Sequence, residues 1–103
     1  MATSEGHRDM VELLLNWGVD ADVREEGGWT ALHEAASRGH KNVVELLLDR
    51  GANVVVANEY GRTALHGAAS EGHKDIVELL LNRGADVAVA NKYGWTALHA
   101  AAF

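Results

Sequence analysis

The fold is decided by residues 30–41, which read Thr-Ala-Leu-His-Glu-Ala-Ala-Ser-Arg-Gly-His-Lys, and by a close copy at residues 63–74, Thr-Ala-Leu-His-Gly-Ala-Ala-Ser-Glu-Gly-His-Lys. Extending the alignment to residues 25–57 and 58–90 gives 23 identical positions of 33. Nine of the eleven glycines and all six histidines recur at this 33-residue spacing. A period of roughly 20 to 50 residues indicates a solenoid, in which each unit stacks on its neighbours.

Each unit is predicted to contain two short helices followed by an extended arm. Thr30 is a good N-cap for the first helix, because its hydroxyl can accept a hydrogen bond from an orphan backbone amide. Gly39 and His40 then predict a tight turn. Valines and leucines on more than one face predict a second helix over 41–50 that neighbouring units cover. Gly51 suits a left-handed C-cap, and residues 52–61 are expected to form the arm, with a turn at its tip.

The composition excludes several classes of protein. The chain has 103 residues, of which 48% are hydrophobic and 23% charged, as in an ordinary globular domain. The absence of cysteine excludes a disulfide scaffold, a thiol nucleophile and a cysteine-ligated zinc. A net charge of −6 is opposite in sign to that of a nucleic-acid or anionic-membrane binder, so neither partner is expected. The first residues lack the apolar core of a signal peptide. We therefore expect an intracellular protein, in the cytoplasm, with the nucleus left open.

The repeated residues resemble the ankyrin-repeat family. The resemblance rests on residues 30–35, on Gly39-His40, on the leucines of 46–48 and on Gly51-Ala52, each repeated 33 residues later. The family pattern is T-P-L-H-x-A on a 33-residue unit of a β-turn and two helices. Over nearly the whole chain, the resemblance implies an all-α helix-turn-helix solenoid with short β-turn or hairpin arms.

The sequence departs from the family at two repeat positions. Alanine stands in place of the usual proline at Ala31, Ala64 and Ala97. The asparagine that usually follows the valine of the arm is replaced in all three units, which puts hydrogen bonding between repeats by that side chain in doubt. The replacements are Asp22, Val55 and Ala88.

The resemblance implies a module that binds other proteins, mainly through the arm tips and the exposed side of the first helix. Some of the matching positions differ between the two full repeats, as Trp29 and Arg62 do, so the scaffold does not dictate them. Aromatic residues and arginine carry much of the energy of typical interfaces. The alternative left open is that the aromatic rings pack on adjacent arms and support the solenoid. The candidate residues are Glu26, Trp29, Arg38, Glu59, Tyr60, Arg62, Glu71, Lys92, Tyr93 and Trp95.

Neither catalysis nor metal binding is expected. Repeat counterparts such as His33 and His66 should lie a stacking distance apart, too far to share one metal ion. The resemblance implies instead that this histidine ties the first helix to the neighbouring arm. The serines share one repeat position, and no serine is singled out as the nucleophile of a triad. We predict a non-enzymatic protein without a cofactor or metal.

The repeat phase divides the chain into a second-helix half-repeat at 1–24, full repeats at 25–57 and 58–90, and a first-helix half-repeat at 91–103. The first half-repeat is expected to form a helix from Gly6 to Trp17. Trp17 replaces an arginine of the other units, and it is expected to cover the N-terminal end. Residues 4–102 make three times 33, so Ala102 followed by Ser4 would continue the pattern without a gap.

Two interpretations of this phase stay open, because the ends of a solenoid normally need a polar cap. One is a piece of a longer array. The other is a self-assembling structural unit, in which complementary half-repeats join head-to-tail or by domain swapping. The residues expected at such a junction are Met10, Leu13, Leu14, Leu98, Ala101 and Phe103.

Overall fold

The computed structural model describes residues 4–18, 22, 24–89 and 96–102, and the helices in it alternate as the repeat predicts. The described residues contain no strand, so the arms are turns and extended backbone rather than hairpins. A short 3-10 turn covers Glu26–Gly28. The α-helices are α1 (Ser4–Asn16), α2 (Ala31–Arg38), α3 (Lys41–Asp49), α4 (Ala64–Ser70), α5 (Lys74–Asn82) and α6 (Ala97–Ala102).

A reciprocal cap begins the first helix of each full repeat. The hydroxyl of Thr30 accepts a hydrogen bond from the His33 amide, and the His33 ring accepts one from the Thr30 amide at 3.1 Å. Thr63 and His66 make the same pair at the start of α4. Two orphan amides are satisfied at each helix end, which is why the Thr-x-x-His spacing recurs.

Glycine makes the turn between the paired helices possible. Gly39 follows α2 with φ +81°, in the left-handed region that other residues rarely adopt. The chain then reverses direction, and α3 packs back on α2. The ring of His73 in the next unit closes over this turn and bonds to the Ser37 carbonyl at 3.0 Å.

The helices form two layers with one continuous core. The first helices α2, α4 and α6 stack on one another in one layer, and the second helices α1, α3 and α5 stack in the other. Alanines let the first helices approach closely, while leucine, valine and isoleucine of α3 and α5 fill the space between the layers. The core is formed by Leu32, Ala35, Ala36, Val43, Val44, Leu47, Ala64, Leu65, Ala68, Ile76, Leu80 and Ala97.

Three expectations are corrected at this level. Helix α1 begins at Ser4 instead of Gly6, so this glycine lies inside the helix and does not form the turn that Gly39 forms after α2. Trp17 does not cover the N-terminal end, since the residue is 82% exposed. Asp22 does form a bond between repeats, because its carboxylate accepts from the Asn53 amide at 2.9 Å and so replaces an asparagine oxygen.

We predict that Gly39→Ala destabilises the protein more than Gly72→Ala, although both glycines hold the same repeat position. The two φ angles are similar, +81° and +74°, so both variants incur the cost of a left-handed alanine, about 1–2 kcal/mol. At Gly39 an added Cβ would also lie 2.8 Å from Cε1 of His73, a ring held by its bond to Ser37. At Gly72 it would meet nothing within 4 Å.

Urea unfolding of the two variants gives the comparison. Gly39→Ala should unfold at a lower urea concentration than Gly72→Ala. Its free energy of unfolding should be lower by about 1 kcal/mol or more, a typical cost of overpacking. Equal midpoints would show that the His73 ring does not constrain the turn.

Candidate functional site

The arm tips of the first two units are joined by a backbone hydrogen bond. Gly27 has φ +79°, and its carbonyl accepts a hydrogen bond from the Glu59 amide at 2.9 Å. Gly28 lies so close to the next arm that an added Cβ would be 3.3 Å from the Asn58 Cα. The two tips therefore form one continuous edge, and the side chains of Glu26 and Glu59 stand exposed on it.

Asn58 shapes the second tip from inside. This residue is 6% exposed, and its Oδ1 accepts hydrogen bonds from the amides of Tyr60 at 2.9 Å and Arg62 at 3.1 Å. The sequence reasoning missed this role. The available signal was that asparagine recurs at 58 and 91 just before the tip, whereas Glu25 stands there in the first unit.

His33 fastens this edge to the first helix. Because the Thr30 amide donates to Nδ1, the ring proton lies on Nε2, and Nε2–H donates to the Arg62 carbonyl at 2.9 Å. The ring thus caps its own helix and holds the arm of the next unit, as the family resemblance implies. Burial lowers the pKa of His33 below its usual value, because a charged imidazolium would lose its solvation there.

The structure brings two of the predicted binding residues into one groove. Trp29 at the base of the first arm and Arg38 at the end of α2 both line it, with Glu34 between them. Glu34 and Arg38 form an ion pair one helical turn apart. The Trp29 ring is half-buried and meets the His33 ring edge-on, with centroids 5.5 Å apart. Packing against the scaffold, the open alternative for the aromatic residues, thus accounts for part of the Trp29 surface.

The other predicted binding residues are distributed along the next unit or lie outside the described residues. Tyr60 is 46% exposed at its arm tip, Glu71 is exposed after α4, and Arg62 is half-buried. In the described part of the chain, none of these three lines the groove of Trp29 and Arg38. Lys92, Tyr93 and Trp95 lie outside the described residues, so the aromatic strip is seen only at Trp29 and Tyr60.

The residues predicted for self-association lie at both ends of the stack. On α1, Met10, Leu13 and Leu14 are 57%, 51% and 47% exposed. On α6, Leu98 is 75% exposed. Ala101 belongs to α6, and Phe103 lies outside the described residues.

Neither a metal-binding cluster nor a membrane-spanning helix is found among the described residues. Within them, no three histidine, aspartate or glutamate side chains cluster closely enough to hold a metal ion. No helix among them is both long and apolar enough to cross a membrane.

The stacked helix pairs, the short arms and the exposed edge define a helical repeat scaffold. A family model described as ankyrin repeats (3 copies) matches residues 1–91 and 55–103, which together span the chain. The chain belongs to the ankyrin-repeat family, whose members are in general protein–protein interaction modules. No curated protein matches the chain.

We predict that stability falls on acidification and that His33 contributes to the fall. In the unfolded chain a histidine binds its proton near pH 6.5, while in the folded protein the pKa of His33 is lower. The unfolded state therefore binds more protons below about pH 6.5. The stabilisation by neutral His33 is complete above that pH and is progressively lost as the pH falls toward the folded pKa.

The variant His33→Gln isolates this contribution, because glutamine keeps a polar group at the capping position but does not titrate. Unfolding free energies at pH 7.5 and pH 5.5 should differ less in the variant than in the unaltered protein. The same pH dependence in both would mean that His33 is not a source of the acid sensitivity.

Proposed function

We propose that the chain binds a partner protein through the arm tips and the exposed side of the first helices. The observation that carries the proposal is a division of roles at the tips. Backbone groups and the buried Asn58 fix the loop, while the side chains of Glu26, Glu59 and Tyr60 are exposed. These side chains are not buried in the packing of the fold, so they are available to a partner.

The groove beside the first tip offers the chemistry of a protein interface. Trp29 supplies a half-exposed aromatic surface, and Arg38 supplies a guanidinium to the same groove. Both residue types are enriched in the energetically dominant parts of interfaces. Since Arg38 is already paired with Glu34, a partner carboxylate would exchange one ion pair for another and gain mainly in specificity.

Differences between the repeats support the same surface. The buried positions of the two full units are nearly identical, as Leu32 and Leu65 illustrate, whereas Trp29 is matched by Arg62 and Arg38 by Glu71. Scaffold contacts keep the core alike. The positions that differ include Trp29 at the tip and Arg38 at the end of the first helix, and others lie within the helices, as Glu34 and Gly67 do.

Site-specific photo-crosslinking tests this proposal. A benzophenone side chain placed at Tyr60 should form a defined adduct in an extract of the source cells, and Trp29→Ala with Arg38→Ala should reduce it. The same photoprobe at Arg83, on the exposed second-helix side, is the control position and should give no adduct of that size. Circular dichroism checks that each variant remains helical.

Two outcomes would contradict the proposed surface. Adducts of equal yield from Tyr60 and Arg83 would show that the contact is not confined to the tips. An adduct at Tyr60 that survives the double substitution would remove the Trp29 groove from the binding site.

We propose self-assembly as a second candidate function, on one specific observation. Large apolar side chains are exposed at the two opposite ends of the stack, on α1 and on α6. Exposed apolar patches of this kind mark association sites. Light scattering over a hundredfold range of concentration tests this function: a mass that stays that of one chain throughout would exclude it.

A further inference from the structure

The residues exposed at the N-terminal end are buried wherever they recur inside the chain. Met10 and Leu14 face away from α3 and are 57% and 47% exposed. The repeat places counterparts of both residues one and two units later, and every counterpart is nearly inaccessible. These are Val43 at 4%, Leu47 at 1%, Ile76 at 2% and Leu80 at 0%.

The difference arises from which helices are present around each copy. Helix α5 packs on α4, the first helix of its own unit, and on α3, the second helix of the unit before it. Helix α3 packs on α2 and α1 in the same way. Among the described helices, α1 packs closely on α3 alone. Its outward face is therefore a stacking surface of the usual composition without the two helices that cover it elsewhere.

The C-terminal end has an exposed apolar surface that corresponds to the one at the N-terminal end. Leu98 of α6 is 75% exposed, whereas its counterparts Leu32 and Leu65 are 3% and 1% exposed. Helix α6 packs on α4, and among the described residues no second helix packs on α6. A mostly apolar groove of about 420 Å³ lies there, lined chiefly by Leu65, Ala69, Val77, Val87, Ala97 and Leu98.

We propose that a second copy of this chain occupies the groove, with its helix α1 lying on α6 and α5 as α5 lies on α4 and α3. This inference rests on self-assembly, the second candidate function, and gives it a register. Met10 and Leu14 of one molecule would lie over Leu98 and Val77 of the other. The contact continues the stacking interface that already repeats within the chain. It joins unlike surfaces, so it is heterologous and can propagate from molecule to molecule, into a ring or a filament according to the rotation.

One pair of repeat positions at the two ends is compatible with this register. Inside the chain, consecutive second helices are joined by an ion pair between Arg83 and Asp49 at 2.8 Å. The repeat counterparts that would meet across the junction are Trp17 and Asn82, and both are uncharged. The junction therefore buries no unpaired charge from this pair, and Trp17, which is 82% exposed in the single chain, gains a surface to cover.

One residue of the N-terminal end works against the stacking. Glu34 is exposed on α2, whereas its counterpart in α4 is Gly67, which is buried with an added Cβ 3.5 Å from that of Ser37. At the junction, Glu34 would face α6 of the other molecule. We expect Glu34→Ala to strengthen self-association severalfold, because it removes a charged group from a helix contact that small residues form elsewhere.

A mixing experiment with two variants tests the register. Leu14→Glu charges the N-terminal face, and Leu98→Glu charges the C-terminal face, so each variant keeps one intact face and loses the other. Val55→Glu is the matched control, because Val55 is 52% exposed but lies on an arm and not on either end. Each protein is examined by light scattering after size exclusion at about 0.15 M salt, where the net charge of −6 is partly screened.

The expected pattern has three parts. The unaltered protein and Val55→Glu form concentration-dependent oligomers. Leu14→Glu and Leu98→Glu are each monomers, with association weakened by at least about tenfold. An equimolar mixture of the two forms a dimer and no larger species, because one intact N-terminal face meets one intact C-terminal face. If Leu14→Glu unfolds by circular dichroism, Met10→Glu takes its place.

Each other outcome overturns a defined part of the proposal. A monomeric unaltered protein excludes self-assembly altogether and leaves the groove to a different occupant, such as a further repeat or a helix of another protein. If the unaltered protein associates but one variant still dimerises alone, the interface joins like faces and the register is wrong. If both variants still associate fully, assembly uses another surface.

Discussion

The structure depends on one bond, which runs from the Nε2–H of His33 to the carbonyl of Arg62 in the next unit. The same ring caps its own helix through Nδ1, so helix initiation and the joining of units share one side chain. The bond joins a buried ring to a half-buried residue, so it is partly shielded from water and its loss is costly. Without it, the two arm tips would still be joined by the bond from the Glu59 amide to the Gly27 carbonyl.

A chain built this way has no single centre. Each unit touches only the units on either side, so the stability is a sum of unit terms and contact terms. The layers differ in what they contribute. The first helices contribute mainly alanines to the core, together with Leu32 and Leu65, whereas the second helices contribute valine, leucine and isoleucine. Function can therefore vary along one edge while the rest of the stack stays the same.

The fold could be predicted from the sequence because the same cap and turn residues recur in both full repeats. Thr30 and Thr63 predicted the N-caps of the first helices, because the cap needs a side-chain acceptor. Gly39 predicted the turn, because its left-handed backbone favours glycine. The start of α1 was not predicted, because the glycine at position 6 was expected to interrupt the helix, and the helix runs through it. The role of Asp22 was missed for another reason: a carboxylate oxygen accepts the Asn53 amide as well as an amide oxygen would.

The candidate site was predictable as a set of positions and not as a geometry. The sequence marked Trp29, Arg38 and Tyr60 as candidates, but only the structure shows that Trp29 and Arg38 line one groove and that Tyr60 does not. The buried amide oxygen of Asn58 sets the path of the loop while Glu59 and Tyr60 point outward. Within one short loop, the residue that fixes the backbone and the residues available for recognition are therefore different. The exposed positions can therefore be substituted in combination, as in a library of binders, while the loop keeps its shape.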